Sequence, residues 1–225
     1  MRAFLIFGMI LTHFLFGSPK VGIAVKVSGV VTFVSAETNV ENPLNPGKPL
    51  YNQDKINTGN NSFAAFMFLD DKTLIKVMEN SELTIRGTRS NFGINKELDI
   101  AYGKFSANIA KQKGKEFRIS TPTSVASVKG TDLFISSDPI QGDIFILIKG
   151  LIEVTNSITG ETTQVKEGET VTSTPDGSLD VTETTEDDLE GFLEEEGTSE
   201  DEPQELRFEI EDDNGNIKHI IIQIN

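Results

Sequence analysis

Val128-Lys129-Gly130-Thr131 sets a cation, a glycine and a hydroxyl side by side, and Thr121, Thr123, Ser124 and Ser127 stand just upstream. Such residues can hold a phosphate, and a hydroxyl with a neighbouring base can act as a nucleophile. A phosphate loop, however, needs several glycines and a lysine at a helix start. Here Gly130 stands alone and Asp132-Leu-Phe-Ile-Ser136 reads as a strand, so no helix N-terminus is available to an anion. The bases are as scarce: the chain has two histidines, His13 in an apolar leader and His219 in the tail. Paired carboxylates for glycoside hydrolysis must share one cleft, and Asp70-Asp71 and Asp212-Asp213 each read as turn residues. Zinc normally takes several His or Cys ligands. Cysteine is absent, which also excludes disulfides, thiol chemistry and a lipid anchor on an N-terminal cysteine. Asp212-Asp213-Asn214-Gly215-Asn216 gathers oxygen ligands for calcium but lacks the distal bidentate Glu. Asn214-Gly215 is the preferred hairpin dipeptide, so the plain turn is the simpler reading. The residues offer no catalytic site, no metal site and no cofactor site.

The elements around these residues read as strands. Val21 to Val27 and Gly29 to Val34 make a first pair, and Phe63-Ala-Ala-Phe-Met-Phe-Leu69 is apolar on both faces, as for a strand covered on both sides. Asp70-Asp71-Lys72 turns the chain into Thr73–Met78 as a hairpin. Phe105, Ala107 and Ile109 alternate with Lys104, Ser106 and Asn108, the period of a half-buried strand. Asp143 to Ile148 again reads as apolar on both faces. No long helix is legible within 21–182, and strands this short and frequent predict an all-β sandwich, barrel or solenoid. Gly29 and Gly47, and again Gly150 and Gly168, stand 18 residues apart with matching apolar positions between them. That pattern predicts two equivalent strand–loop–strand units.

The ends differ from the body. Met1-Arg2, an apolar run from Ala3 to Phe16 and Gly17-Ser18-Pro19 have the layout of a secretory signal over 1–18. The run is too short to span a bilayer, which takes about 20 residues. The chain is therefore expected to be exported, periplasmic or extracellular, with no membrane anchor once the signal is removed. The net charge of −15 is concentrated in the tail: residues 183–225 hold 16 acidic and 2 basic residues. An acidic tail repels phosphates, so nucleic acid is not an expected partner. Residues 183–204 read as a solvated acidic linker. A short helix is an alternative there, with Thr185 as N-cap and Leu189, Phe192 and Leu193 on one side. Residues 205–225 read as a β-hairpin, with Leu206, Phe208 and Ile210 on one strand and Ile220, Ile222 and Ile224 on the other. A lone ribbon is marginal in water, so it is expected to dock on the body or on a partner's sheet edge. Lys111, Lys113, Lys115 and Arg118 are a solvated hairpin end, or else a patch that attracts the acidic linker in a salt-sensitive way.

Four stretches resemble the FecR domain family. Thr121-Pro122, alternating Val125-Ala126-Ser127-Val128, then Lys129-Gly130-Thr131 and Phe134 resemble its Thr-Pro and Val-Arg-Gly-Thr signature, with lysine in place of the usual arginine. Asp54-Lys-Ile-Asn-Thr58-Gly59, with Ser62 and Ala64 following, is similar to its opening Asp-x-Ile-x-Thr-Gly. Leu69-Asp70-Asp71-Lys72-Thr73 resembles its Asp-Gly-Ser turn, and Ala101-Tyr-Gly103-Lys-Phe105 its apolar-x-Gly-x-Phe strand. The motif core covers 54–137 within a β domain of 21–182. The resemblance implies a layered all-β domain; the residues themselves read as a strand–turn–strand with the bend at Gly130 and the Thr131 hydroxyl bonding the turn. The resemblance also implies a module that receives a signal in the envelope, since transmembrane relatives couple an outer-membrane transporter to a sigma factor. This chain shows no cytoplasmic segment. Two functions follow as expectations. One is a non-catalytic binding or scaffolding module of the bacterial envelope, contacting an envelope or outer-membrane protein or an envelope polymer. The other is a component of transmembrane or cell-surface signalling that relays a state to a separate membrane regulator. Pairing between copies through exposed strand edges stays open.

Overall fold

The computed structural model describes residues 20–90, 93–112, 117–193, 204–211 and 217–224. In chain order the first strands are β1 (Lys20–Ser28), β2 (Val31–Val34), β3 (Glu41–Pro43), β4 (Pro49–Tyr51), β5 (Lys55–Thr58), β6 (Phe63–Phe68), β7 (Leu74–Val77), β8 (Glu82–Ser90) and β9 (Gly93–Asn108). They are followed by β10 (Phe117–Ser120), β11 (Ser124–Val128), β12 (Asp132–Asp138), β13 (Gly142–Lys149), β14 (Leu151–Asn156), β15 (Thr162–Lys166), β16 (Glu169–Ser173) and β17 (Leu179–Glu183). Helix α1 (Glu186–Leu193) comes next, then β18 (Gln204–Glu211) and β19 (Ile217–Ile224), which pair with each other as a separate sheet. The fold is all-β, as the short apolar runs predict.

The first 17 strands form two layers. Sheet I runs β4-β1-β6-β7-β9-β12-β13-β16-β17. Sheet II runs β3-β2-β5-β8-β9-β10-β11-β14-β15. Neighbours are antiparallel except β9 and β10, which are parallel. One apolar core lies between the layers and draws on both. Phe68 of sheet I meets Phe117 of sheet II edge to face, with ring centroids 5.7 Å apart, a favoured geometry for aromatic pairs.

Strand β9 belongs to both layers. Residues up to Tyr102 pair with β8 in sheet II, and Gly103 to Asn108 pair with β12 in sheet I. The change of layer happens at Gly103, which has φ +109°. A Cβ there would stand 2.1 Å from Ser81 Oγ, and that hydroxyl accepts the Lys104 amide at 3.0 Å. Gly103→Ala combines a disfavoured backbone angle with a clash, so it should lower unfolding stability by about 2 kcal/mol or more. Urea denaturation reads this directly, and a change under about 0.5 kcal/mol, the range of an innocuous surface substitution, would show that the bend does not need glycine.

The Val128-Lys129-Gly130-Thr131 stretch is a second layer crossing, from β11 in sheet II to β12 in sheet I. Ile109 and Thr131 exchange both backbone hydrogen bonds, and the Gln112 amide donates to the Lys129 carbonyl. Gly130 has φ +139°, and a Cβ on it would lie 3.0 Å from Lys111 Cα. The expected role for the Thr131 hydroxyl fails. That oxygen is buried and has no hydrogen-bond partner among the described residues. The threonine serves through its methyl group, which lies where a Cβ on Gly150 would meet it at 2.7 Å.

The glycine repeat has a structural counterpart. Gly29 and Gly150, with φ of +75° and +101°, each carry the chain from a sheet I strand to a sheet II strand. Gly47 and Gly168 each precede the strand that returns to sheet I, β4 against β1 and β16 against β13.

Candidate interaction face

The polar residues of the sequence motifs are joints between strands and layers. The Asp54 carboxylate is buried and accepts the Ala36 and Tyr51 amides at 3.0 and 2.9 Å. The Thr58 hydroxyl donates to the Met78 carbonyl at 2.5 Å and accepts the Ser81 amide at 3.0 Å. Ser62 Oγ accepts the Val30 amide at 2.8 Å. Asp-x-Ile-x-Thr-Gly with its following serine therefore stitches the β5–β6 corner to the corners beside it.

Asp70 and Asp71 do more than turn the chain. Between them lies Lys96, whose side chain is 1% exposed and whose Nζ stands 2.8 Å from Asp70 and 2.6 Å from Asp71. Asp70 also accepts the Ile94 amide at 2.9 Å, and Gln112 Nε2 donates to Asp71 at 2.9 Å. The β6–β7 hairpin of sheet I is thus pinned to the sheet II stretch of β9. Burial pushes the Asp71 carboxyl up, but Lys96, the Thr73 amide and hydroxyl and Gln112 outweigh it and hold it below the ordinary carboxylate value.

Asp143 is the counterpart at the opposite end of sheet I. It is fully buried on the inner side of β13. One oxygen accepts the Thr121 hydroxyl at 2.5 Å, the Ser124 hydroxyl at 2.8 Å and the Thr123 amide at 3.2 Å, and also receives the Thr123 hydroxyl. The other accepts the Ser137 hydroxyl at 2.6 Å. The Thr121-Pro122-Thr123-Ser124 turn of sheet II closes over this carboxyl. In the sequence Asp143 reads as the edge of an apolar run. The available signal was a cluster of hydroxyls upstream together with a lone acid opening the run.

The two outer faces differ in kind. On sheet II the outward residues are polar and cross-paired: Lys55 with Glu82 at 2.7 Å, Ser120 with Glu97 at 3.0 Å, Thr155 with Thr162 at 2.9 Å, and Arg86 with Asp99. On sheet I the apolar outward residues gather in two clusters, with Lys76, Lys104, Ser106, Asn108 and Asp132 on the strands between them. Ile23, Val25, Ala65 and Met67 form one cluster on β1 and β6, with Phe63, Leu69 and Leu74 packed against it. Phe134 and Ile146 form another on β12 and β13. Between the clusters runs a groove of about 520 Å³ lined by Leu74, Phe134, Ile148 and Leu189 together with Lys76 and Asp132.

Helix α1 sits on the second cluster. Phe192 stacks on Phe134 with centroids 4.9 Å apart, and Leu189 packs beside it. Lys104 Nζ lies 5.7 Å from the Phe192 ring centre. The helix begins with a reciprocal cap: the Thr185 amide donates to Asp188 Oδ2 at 2.8 Å, and the Asp188 amide donates to Thr185 Oγ1 at 3.3 Å, as in a capping box. Tertiary contact rather than propensity supports so short a helix. The reading of 143–148 as apolar and covered on both faces is corrected in part. Ile146 is covered, whereas Ile144 and Ile148 are 36% and 41% exposed.

The other residues singled out by sequence do not converge on a site. Among the described residues no group of three His, Cys, Asp or Glu could hold a metal ion. The Asp212–Asn216 turn, Lys113, Lys115 and residues 1–19 lie outside the described residues. His219 falls in β19, paired with Glu209. Among the described residues no helix is long and apolar enough to cross a membrane.

Fold and faces together define a two-layer all-β sandwich with one polar outer surface and one that carries two apolar clusters. The family model described as FecR protein matches residues 54–153. That match agrees with the motifs at Asp54, Asp70, Gly103 and Thr121. Two crystal structures of a "putative anti-sigma factor" from Parabacteroides distasonis ATCC 8503 share the fold. Each is 13% identical with a TM-score of 0.51, over 62% of this chain and 63% or 64% of that chain. This chain thus covers less than two thirds of their length. No curated protein matches the chain.

Proposed function

We propose that this chain is a non-catalytic, exported binding module of the bacterial envelope that takes part in cell-surface signalling by passing a state to a separate membrane regulator. The observation that carries the reading is the FecR match over 54–153, in which Asp54, Thr58, Asp70, Asp71 and Asp143 all have partners inside the fold. Function needs a site, and the surface best suited to a protein partner is the outer face of sheet I. Its open part is the groove between the two covered clusters, where Leu74, Ile148 and Leu189 stand beside Lys76, Asn108 and Asp132, an apolar centre edged by polar groups as in protein contacts. Affinity capture from host envelope extracts, with the intact chain as bait, tests the reading. Specific recovery of an outer-membrane transporter or a spanning regulator is the expected result. Recovery of envelope polymer alone would contradict it and support a scaffold, which the shallow polar groove of sheet II around Asn95, Glu97 and Arg118 favours.

A further inference from the structure

Ile23, Val25, Ala65 and Met67 point away from the sandwich core, yet they are only 3–6% exposed. On the same outer face of the same sheet, Ile144 and Ile148 are 36% and 41% exposed. Position within a sheet therefore does not account for the difference, and something must cover β1 and β6. Among the described residues with assigned packing, α1 is the element on this face, and it sits on Phe134 and Ile146 instead.

We propose that the C-terminal hairpin β18–β19 occupies the outer face of β1 and β6 in the same molecule, as a third layer of the sandwich. The register pairs Leu206 with Ile222 and Phe208 with Ile220. Because residues alternate between faces and cross-strand partners share one, Leu206, Phe208, Ile210, Ile220, Ile222 and Ile224 all fall on one side. Gln204 and Lys218 share that side, whereas Glu205, Arg207, Glu209 and His219 fall on the other with Ile217 and Ile221. A two-stranded ribbon of this kind is marginal in water without a surface to bury, and the four core residues of the β1–β6 cluster are a surface of matching character. The route is short enough. The chain leaves α1 at Leu193 already on this face, and β18 starts at Gln204. The connection reaches up to about 35 Å when extended, and the three strand steps from β12 to β6 span about 14 Å. The inference stands whether or not the module signals.

The absence of cysteine makes the test clean. Met67→Cys combined with Ile222→Cys in the intact chain should form an intramolecular bond on mild oxidation, seen as a monomer on denaturing gels and mapped by mass spectrometry. Met67→Cys with Gln223→Cys, on the opposite side of the hairpin, should react at least about ten-fold more slowly. Ala65→Cys provides a second anchor that alters less core volume, and circular dichroism confirms that each variant is folded. Equal rates for the two pairs, no monomeric product from either anchor, or product found only as a covalent dimer would overturn the proposal. The last result would assign the face to a second copy.

Discussion

Replacing Asp143 by alanine is expected to lower unfolding stability by about 3 kcal/mol or more. The carboxyl receives four hydroxyls and one amide, from Thr121, Thr123, Ser124 and Ser137. Removing it leaves those donors in a site that water does not reach, and each unsatisfied buried group costs about 1–3 kcal/mol. Hydroxyl groups can rotate to new acceptors, which is why the expected total stays well below the sum. Asp143→Asn keeps the shape and one acceptor oxygen, so its loss should fall between those of the parent and Asp143→Ala. Urea melts with an unchanged slope would place the effect in the native state. Parent-like stability in Asp143→Ala would show that the Thr121–Ser124 turn holds to sheet I by other means.

Lys96→Met should be as damaging at neutral pH, by about 3–5 kcal/mol, because it leaves two carboxylates facing a site built for a cation. Its pH dependence is the sharper signature. The Asp71 carboxyl is held below its ordinary value of 3.8 partly by Lys96. A carboxyl depressed in the folded state contributes stability that is complete above its unfolded value and drains away as pH falls through the folded value. The parent should therefore lose stability on acidification from about pH 5 towards pH 3, and the variant should lose less. The gap between them narrows in acid. A gap of constant size over that range would mean that Lys96 acts through its packed stem and its place 5.5 Å from the Phe68 ring, not through its charge.

Much of the layering was legible because period-2 alternation reports local burial. Phe105, Ala107 and Ile109 point inward as their spacing predicts. The paired glycines 29/47 and 150/168 marked two equivalent excursions into sheet II. What alternation cannot report is which distant chain lies on the second face of a strand. The apolar outer faces of β6 and β13 look alike in sequence, yet Met67 is buried whereas Ile148 is half exposed. The difference rests on what sits above them. The same limit hid Lys96 and Asp143. Each is a charged residue in a strand whose partners lie far along the chain, so the pattern shows Asp143 only as a run's edge and does not single out Lys96 at all. Phe192 was visible as one side of a short helix, but its stacking on Phe134 depends on a sheet face that forms from residues about 60 positions earlier, a non-local contact of the kind local patterns do not encode.

A protein partner is expected to meet this module on the open part of the outer face of sheet I. Photo-crosslinking in host envelopes tests it most directly, with a photoreactive residue placed either at Ile148, beside the groove, or at Thr88, exposed on sheet II. The probe at Ile148, which is exposed, should trap a membrane protein of the envelope, and the probe at Thr88, also exposed, should not. Trapping from Thr88 alone, or from neither position, would contradict it.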